Sequence, residues 1–392
     1  MTKQKQRGHG EGSIYQRPDG RWVGQISLED GKRKYLYGKT RKEVADKLHQ
    51  ALQEQKQGIL ATGPQQKLRD YLEYWLEEVR KPALKLSSYL RYRTLLNKHI
   101  LPDIGHILLQ KLTVRDVQSF YAKKLREGLS ARTVHVLHAI LHKALHDAAQ
   151  SNLLARNVCD HLSLPRVEKY ETHTLSEQQA QKLLEIVQGH QLEALFILAL
   201  TTGMRRGELI GLRWQDVSFE HRSISIHRTV SYVARRGFLV SEPKTATSRR
   251  KIVIPPFLIE LLKQHQENQR GIRVKAGTLW MNHDLVFCNA HGEFINPASL
   301  IWTFRNFLAK AGLERIRFHD LRHSTATILL TMGVHPKVVQ ELLGHSSIRV
   351  TMDIYSHVLP SIQAEATEKL GELFQQRDQD SQASDTPEEI DP

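Results

Sequence analysis

Residues 318–357 read FHDLRHSTATILLTMGVHPKVVQELLGHSSIRVTMDIYSH and gather side chains suited to handling a phosphate. His319, Arg322 and His323 fall at i, i+3 and i+4, positions that share one face of a helix. A planar guanidinium hydrogen-bonds a phosphate through two parallel N–H groups, and imidazoles beside it supply donors or proton acceptors. His345 follows in Leu343-Gly344-His345. Tyr355, ten residues later, is a candidate nucleophile, because a phenol forms covalent intermediates.

A second group lies upstream. An apolar run from Leu192 to Thr201 is expected to be a buried helix, which Gly203 breaks. Arg205 to Gly211 restarts as helix, so Arg205 is presented from a rigid helix end. Glu208, one turn on, is spaced to pair with Arg205 or to orient a nearby cation.

These residues carry a resemblance. His319-x-x-Arg322, Leu343-Gly344-His345 and Tyr355 resemble the second half of the tyrosine recombinase (phage integrase) signature. Thr202-Gly203-Met204-Arg205-Arg206-Gly207-Glu208-Leu209 resembles the first half. The likeness runs in the family's order from Leu175 to Leu359. It implies DNA strand cleavage and rejoining through a 3′-phosphotyrosine link, without metal, ATP or other cofactor. In that scheme Arg205 and Arg322 hold the non-bridging phosphate oxygens, His345 adds a hydrogen bond, and Tyr355 attacks phosphorus. His319 accepts the phenolic proton or holds Tyr355, and Glu208 supports the arginines. By position Lys244, in Glu242-Pro243-Lys244-Thr245-Ala246-Thr247-Ser248, matches the family's hairpin lysine and would protonate the leaving oxygen; Arg249 and Lys251 compete with it.

Composition agrees with a polyanionic partner. The 392 residues carry 56 lysines and arginines against 42 acids, a net +14. The acids concentrate at the end: residues 361–392 hold nine acids and two bases, leaving +21 on residues 1–360. A basic body with an acidic tail points to nucleic acid. Cys159 and Cys288 stand far apart, which argues against a disulfide framework or a cysteine zinc site and fits a reducing cytoplasm. The start, MTKQKQRGHGEGS, has no apolar stretch after its bases and does not read as a signal peptide. The most apolar run is too short to span a bilayer.

The elements that would position the site read as a multidomain, mainly α chain with small β elements. Residues 1–12 are expected to be disordered. Strands Ser13–Gln16, Arg21–Leu28 and Lys32–Gly38, followed by a helix capped by Thr40 and Glu43, make a domain over 13–57. It resembles the family's arm-DNA-binding domain. After a linker to Gln66, a helical pattern over 66–161 places Leu68, Tyr71, Leu72, Trp75 and Val79 on one stripe. Ser87/Ser88, Thr113 and Ser130 read as caps of three further helices, and Val117, Phe120, Tyr121 and Leu125 as interior. Four basic helices resemble the core-DNA-binding domain. His161 to Thr174 reads as linker, and 173–375 as an α+β catalytic domain with strands Ser223–His227, Gly237–Ser241 and Arg250–Ile254, the last two flanking a hairpin tip. Helices are expected over Pro256–Gln269 and Pro297–Ala311, and Ser346/Ser347 should cap the helix bearing Tyr355. Ser361–Gln375 reads as an amphipathic terminal helix, and 376–392 as an acidic disordered tail.

As to partners, the resemblance implies duplex DNA at core and arm sites, and a homotetramer linked by exchange of the terminal helix. It also implies an excisionase and a DNA-bending host protein, with no membrane. The extra N-terminal domain favours integration and excision of a mobile element or prophage. Two other readings stay open. His319-Asp320, His323 and His345 could bind a metal in a phosphohydrolase. Alternatively, His319–Leu343, with Gly333 in its turn, has the spacing of a helix-turn-helix regulator without catalysis.

Overall fold

A computed structural model describes residues 12–27, 33–56, 65–168, 173–234, 236–242, 249–354 and 367–368. Lys244, Tyr355, the acidic tail and nearly all of the expected terminal helix lie outside these residues. Two compact units divide the chain, Met1–Lys169 and Tyr170–Pro392.

The first unit opens with an antiparallel sheet of β1 (Ser13–Gln16), β2 (Trp22–Ser27) and β3 (Arg33–Gly38), in that order. Helix α1 (Arg41–Lys56) covers one face, burying Ile26, Leu48 and Ala51. Thr40 caps it as the sequence suggests, accepting from the Glu43 N–H at 3.2 Å, but the Glu43 carboxylate reaches back one residue further, to the Lys39 N–H at 2.9 Å. Cross-strand pairing of Tyr15 with Val23 and of Val23 with Tyr37 sets those three side chains on the opposite face. Tyr15, Tyr35 and Tyr37 are exposed.

A helical bundle follows, with its own core of Leu68, Trp75, Phe120, Tyr121, Leu137 and neighbours. Helix α2 (Leu68–Tyr74) passes into a π-helical turn, Trp75–Arg80. The wider turn rotates the stripe out of phase, so Val79, expected in the core, is 43% exposed. The second helix, α3 (Leu86–Leu95), starts one residue before Ser87. Lys85 is its N-cap without any side-chain bond, so the two serines are not caps. After the short α4 (Leu101–Ile104), Thr113 and Ser130 do cap α5 (Val114–Arg126) and α6 (Ala131–Gln150), Thr113 in a reciprocal capping box with Asp116. Leu125, in the last turn of α5, is exposed, unlike Val117, Phe120 and Tyr121.

In the second unit Ser176 caps α7 (Glu177–Val187), and α8 (Glu193–Thr202) is apolar almost all round and packs in the centre of the core. A five-residue helix, α9 (Arg206–Ile210), leads to β4 (Val217–Ser218), β5 (Ser223–Ile226), β6 (Thr229–Val233), β7 (Gly237–Ser241) and β8 (Arg250–Val253). Strand β6 was not foreseen, and it changes the topology. β7 pairs with β6, Tyr232 opposite Phe238 with ring centroids 5.2 Å apart, while β8 pairs with β5 in the β4-β5-β8 sheet. β7 and β8, the strands on either side of Lys244 in the sequence, therefore belong to different sheets and do not pair with each other as a hairpin would require. Helix α10 runs through Gly271 to give Pro256–Ala276, longer than expected, and Leu285 makes an isolated bridge to Arg213. Then come α11 (Pro297–Lys310), α12 (Asp320–Thr331) and α13 (Pro336–Leu343). Residues 348–354 are helical, and Ser347 accepts from the Arg349 N–H at 3.2 Å, as its reading as a cap requires.

Candidate active site

Helix α8 ends at Gly203, whose φ of +61° is the left-handed conformation that glycine adopts without penalty. The position is crowded: a Cβ there would stand 2.2 Å from Leu343 Cδ2, so that Leu343 would have to shift. This close approach brings the end of α8 against the end of α13. The chain turns through buried Met204, and Arg205 becomes the N-cap of α9.

Three guanidiniums are then drawn together. Arg205 donates to Glu208 Oε1 at 2.8 Å and to the Gly344 carbonyl at 3.0 Å. Arg322, on the first turn of α12 and only 3% exposed, donates through Nη1 to the Gly203 carbonyl at 2.8 Å. Arg250, on β8, donates to the Leu342 carbonyl at 2.7 Å and to both oxygens of Glu208, at 3.3 and 3.0 Å. Both glycine carbonyls belong to left-handed helix ends, so the arginines of one motif are anchored on the turn of the other.

One carboxylate faces these three cations. Burial pushes the Glu208 carboxyl up, but Arg250 and Arg205 outweigh it and hold the carboxyl below its usual range. Arg322 is pulled down to about 9, by burial first and then by Arg205 and Arg250, and stays charged at neutral pH. Its Nη2 is buried without a hydrogen-bond partner among the described residues. A buried donor left unpaired is costly, and an anionic oxygen is the partner that would satisfy it.

His345 sits beside this group, 8% exposed, its Nδ1 2.9 Å from Thr351 Oγ1. Burial, then Arg322 and Arg205, push its pKa down to about 3, so the ring is neutral at physiological pH. His319 is pushed to about 4 by burial, His323 and Arg322, although the residue as a whole is open to solvent, which weakens the effect. Its ring meets that of His323 edge-on at 5.2 Å.

Of the sequence-predicted set, Arg205, Glu208, Arg322 and His345 come together, with His319 close enough that the charges of Arg322 and Arg205 act on it. Tyr355 and Lys244 fall outside the described residues. Arg249 is paired with Glu242, and Lys251 is exposed on β8. Arg250 was missed, yet strand periodicity could have found it. Successive side chains alternate between faces, so Arg250 shares the inward face with Ile252 while Lys251 and Val253 point out. Nothing in the sequence singled out Thr351.

Among the described residues the metal reading finds no set of ligands, while the helix pair of the regulator reading is present. Asp320 is fully buried and both its oxygens are taken by Arg317, and no group of three His, Cys, Asp or Glu side chains among the described residues is arranged to hold a metal ion. Helices α12 and α13 do pack as a pair around Ala326, Leu330, Val339 and Leu343. However, Arg322, on the first helix of that pair, turns inward to Gly203 and into the arginine cluster, an arrangement that a regulator without catalysis leaves without a purpose.

A tyrosine recombinase XerC-like protein from Caldanaerobacter subterraneus is 35% identical over 369 residues, covering 88% of this chain and 94% of that protein. The model of the phage integrase family matches residues 173–361, and that of its N-terminal SAM-like domain matches residues 67–125. The chain belongs to the phage integrase family. It is a tyrosine-type site-specific recombinase of the integrase kind. An integrase from Streptomyces ambofaciens is 31% identical, covering 93% of this chain and 97% of its own length, and the ICEBs1 integrase of Bacillus subtilis is 27% identical, covering 74% and 79%. Among solved structures, the Tn1549 transposon integrase bound to a circular-intermediate DNA matches with a TM-score of 0.65 at 20% identity, covering 78% of this chain and 99% of that one. A lambda integrase tetramer on a Holliday junction matches with a TM-score of 0.53 at 16% identity, covering 89% and 96%. At those identities the likeness is one of fold. The family's mainly helical, multidomain architecture with small antiparallel sheets is the one described above.

Proposed function

We propose that this recombinase cleaves one DNA strand with Tyr355, forming a 3′-phosphotyrosine link and releasing a 5′-hydroxyl. Arg205 and Arg322 hold the non-bridging oxygens of the scissile phosphate and neutralise charge that grows in the transition state. His345 adds a hydrogen bond. His319 accepts the phenolic proton, as a neutral imidazole can. Lys244 protonates the departing oxygen. Glu208 holds Arg205 in place, and Arg250 holds Glu208. The 5′-hydroxyl of a second strand then attacks the phosphotyrosine, so the bond broken is remade without ATP.

The observation that carries this reading is the Nη2 of Arg322, buried beside Arg205 without a partner among the described residues, where Arg205, Arg250 and Arg322 gather around Glu208. Tyr355 is supported by its position ten residues after His345. Lys244 is supported by its segment, whose downstream end at Arg250 is bonded into the cluster.

The same reading gives 13–57 to arm-site DNA, 66–161 to core-site DNA, 173–375 to catalysis and 376–392 to an acidic tail. The exposed Tyr15, Tyr35 and Tyr37 of the N-terminal sheet support the first assignment. Relatives from integrative elements and from a transposon favour integration and excision of a mobile element, in the cytoplasm of a bacterial host. A homotetramer exchanging terminal helices, an excisionase and a DNA-bending host protein complete the assembly. No helix among the described residues is long and apolar enough to cross a membrane.

The test is covalent trapping on a nicked duplex carrying the attachment core, in EDTA. The wild type should form a protein–DNA adduct and Tyr355→Phe none. An adduct with Tyr355→Phe removes the nucleophile assignment, and a requirement for divalent metal favours the phosphohydrolase reading.

A further inference from the structure

Thr351 is fully buried, and its one side-chain hydrogen bond among the described residues joins Oγ1 to His345 Nδ1 at 2.9 Å. A hydroxyl has a single proton, and buried hydroxyls place it on an acceptor. Helical threonines usually find that acceptor in the carbonyl four residues back. Thr94, Thr201, Thr202, Thr325 and Thr331 of this chain all do so. Thr351 makes no such bond. Among the described residues, the acceptor left for its proton is His345 Nδ1.

A ring nitrogen that accepts a hydrogen bond carries no proton, so in a neutral imidazole the proton resides on the other nitrogen. For His345 that nitrogen is Nε2, which makes no hydrogen bond to a described residue. The charges of Arg322, Arg205 and Arg250 all act on this ring and keep it from taking up a second proton. We infer that Thr351 is a positioning residue that fixes His345 as the neutral Nε2–H tautomer, so that the ring offers a donor to a phosphate oxygen held by the arginines. The opposite tautomer would turn a lone pair toward that anion and repel it. The inference rests on the reading of His345 as a phosphate ligand. It adds a side chain four residues before Tyr355 in the sequence.

Full-length protein labelled with 15N-histidine, read by long-range proton–nitrogen spectra, reports the tautomer directly, with His345 assigned by its loss in His345→Gln. The wild type should show an unprotonated Nδ1 and a protonated Nε2. Thr351→Val, which keeps the shape and loses the hydroxyl, should mix or reverse that pattern, and Thr351→Ser should restore it. Adduct formation on the nicked duplex should fall about tenfold or more in Thr351→Val and stay within about twofold of wild type in Thr351→Ser. A protonated Nδ1 in the wild type overturns the inference without any variant. So does an unchanged tautomer in a Thr351→Val protein whose melting curve shows it folded. Wild-type adduct formation by His345→Leu, which has no donor, would instead overturn the phosphate role of His345, whatever the spectra show.

Discussion

Arg322 donates to the carbonyl of Gly203 at 2.8 Å across 119 residues of chain. The bond ties the two halves of the family signature together. It also makes one backbone oxygen responsible for aiming a buried guanidinium.

Gly203→Ala tests that dependence. The new Cβ would meet Leu343 Cδ2 at 2.2 Å, and the left-handed φ is strained for alanine. Strain and overpacking together should cost about 2–4 kcal/mol. Adduct formation should fall as well, because the Gly203 carbonyl moves with the turn. Equilibrium urea unfolding measures the first effect, and a loss below about 0.5 kcal/mol would show that the turn yields easily.

Arg322→Lys keeps the charge and loses the planar fork. An ammonium cannot bond the Gly203 carbonyl and a phosphate oxygen in the same plane. The rate of covalent adduct formation should drop about a hundredfold, with DNA affinity changed far less. Equal losses of affinity and rate would argue for simple charge attraction instead.

Glu208→Gln isolates the carboxylate that two arginines share. The folded carboxyl lies below its ordinary value, so its contribution to stability is fully present above the unfolded value of about 4.3 and is lost as pH falls through the folded one. The variant should be less stable than wild type by about 3 kcal/mol at neutral pH. The difference should hold to about pH 5 and shrink in more acidic solution. Urea unfolding at three pH values measures it; a gap that stays constant into strong acid would mean that the carboxylate charge contributes nothing.

Arg250→Gln and Lys251→Gln form a matched pair on adjacent residues of β8. Arg250 is bonded to Glu208 and Leu342, with 7% of its side chain exposed, while Lys251 faces solvent. The first change should cost about 2–4 kcal/mol and slow cleavage, and the second should stay within about 0.5 kcal/mol. Similar costs at both positions would contradict the inward register of Arg250.

Much of the site is legible because helices impose short-range rules. Arg322 and the histidines flanking it are brought together by their spacing alone. So are Arg205 and Glu208, and the caps at Thr113 and Ser130 likewise depend on residues three apart. The errors have equally local causes. Val79 left the core because a π-helical turn changed the period, and Ser87/Ser88 lost their capping role because α3 began at Leu86. Strand β6 was overlooked, and with it the true partner of β7, because pairing is a choice between distant segments that alternation by itself leaves open.

The sequence by itself determined the kind of chemistry, since residue types and local spacing limit what a phosphate-handling cluster can be made of. Only the tertiary structure decided how the cluster is held: Arg250 shares Glu208 with Arg205, the left-handed glycines 203 and 344 supply the carbonyls, and Thr351 fills the far side of His345. The physical reason is range. Helical periodicity reaches about four residues, whereas hydrogen bonds such as that of Arg322 to Gly203 join residues more than a hundred apart, and the packed core alone brings those within reach.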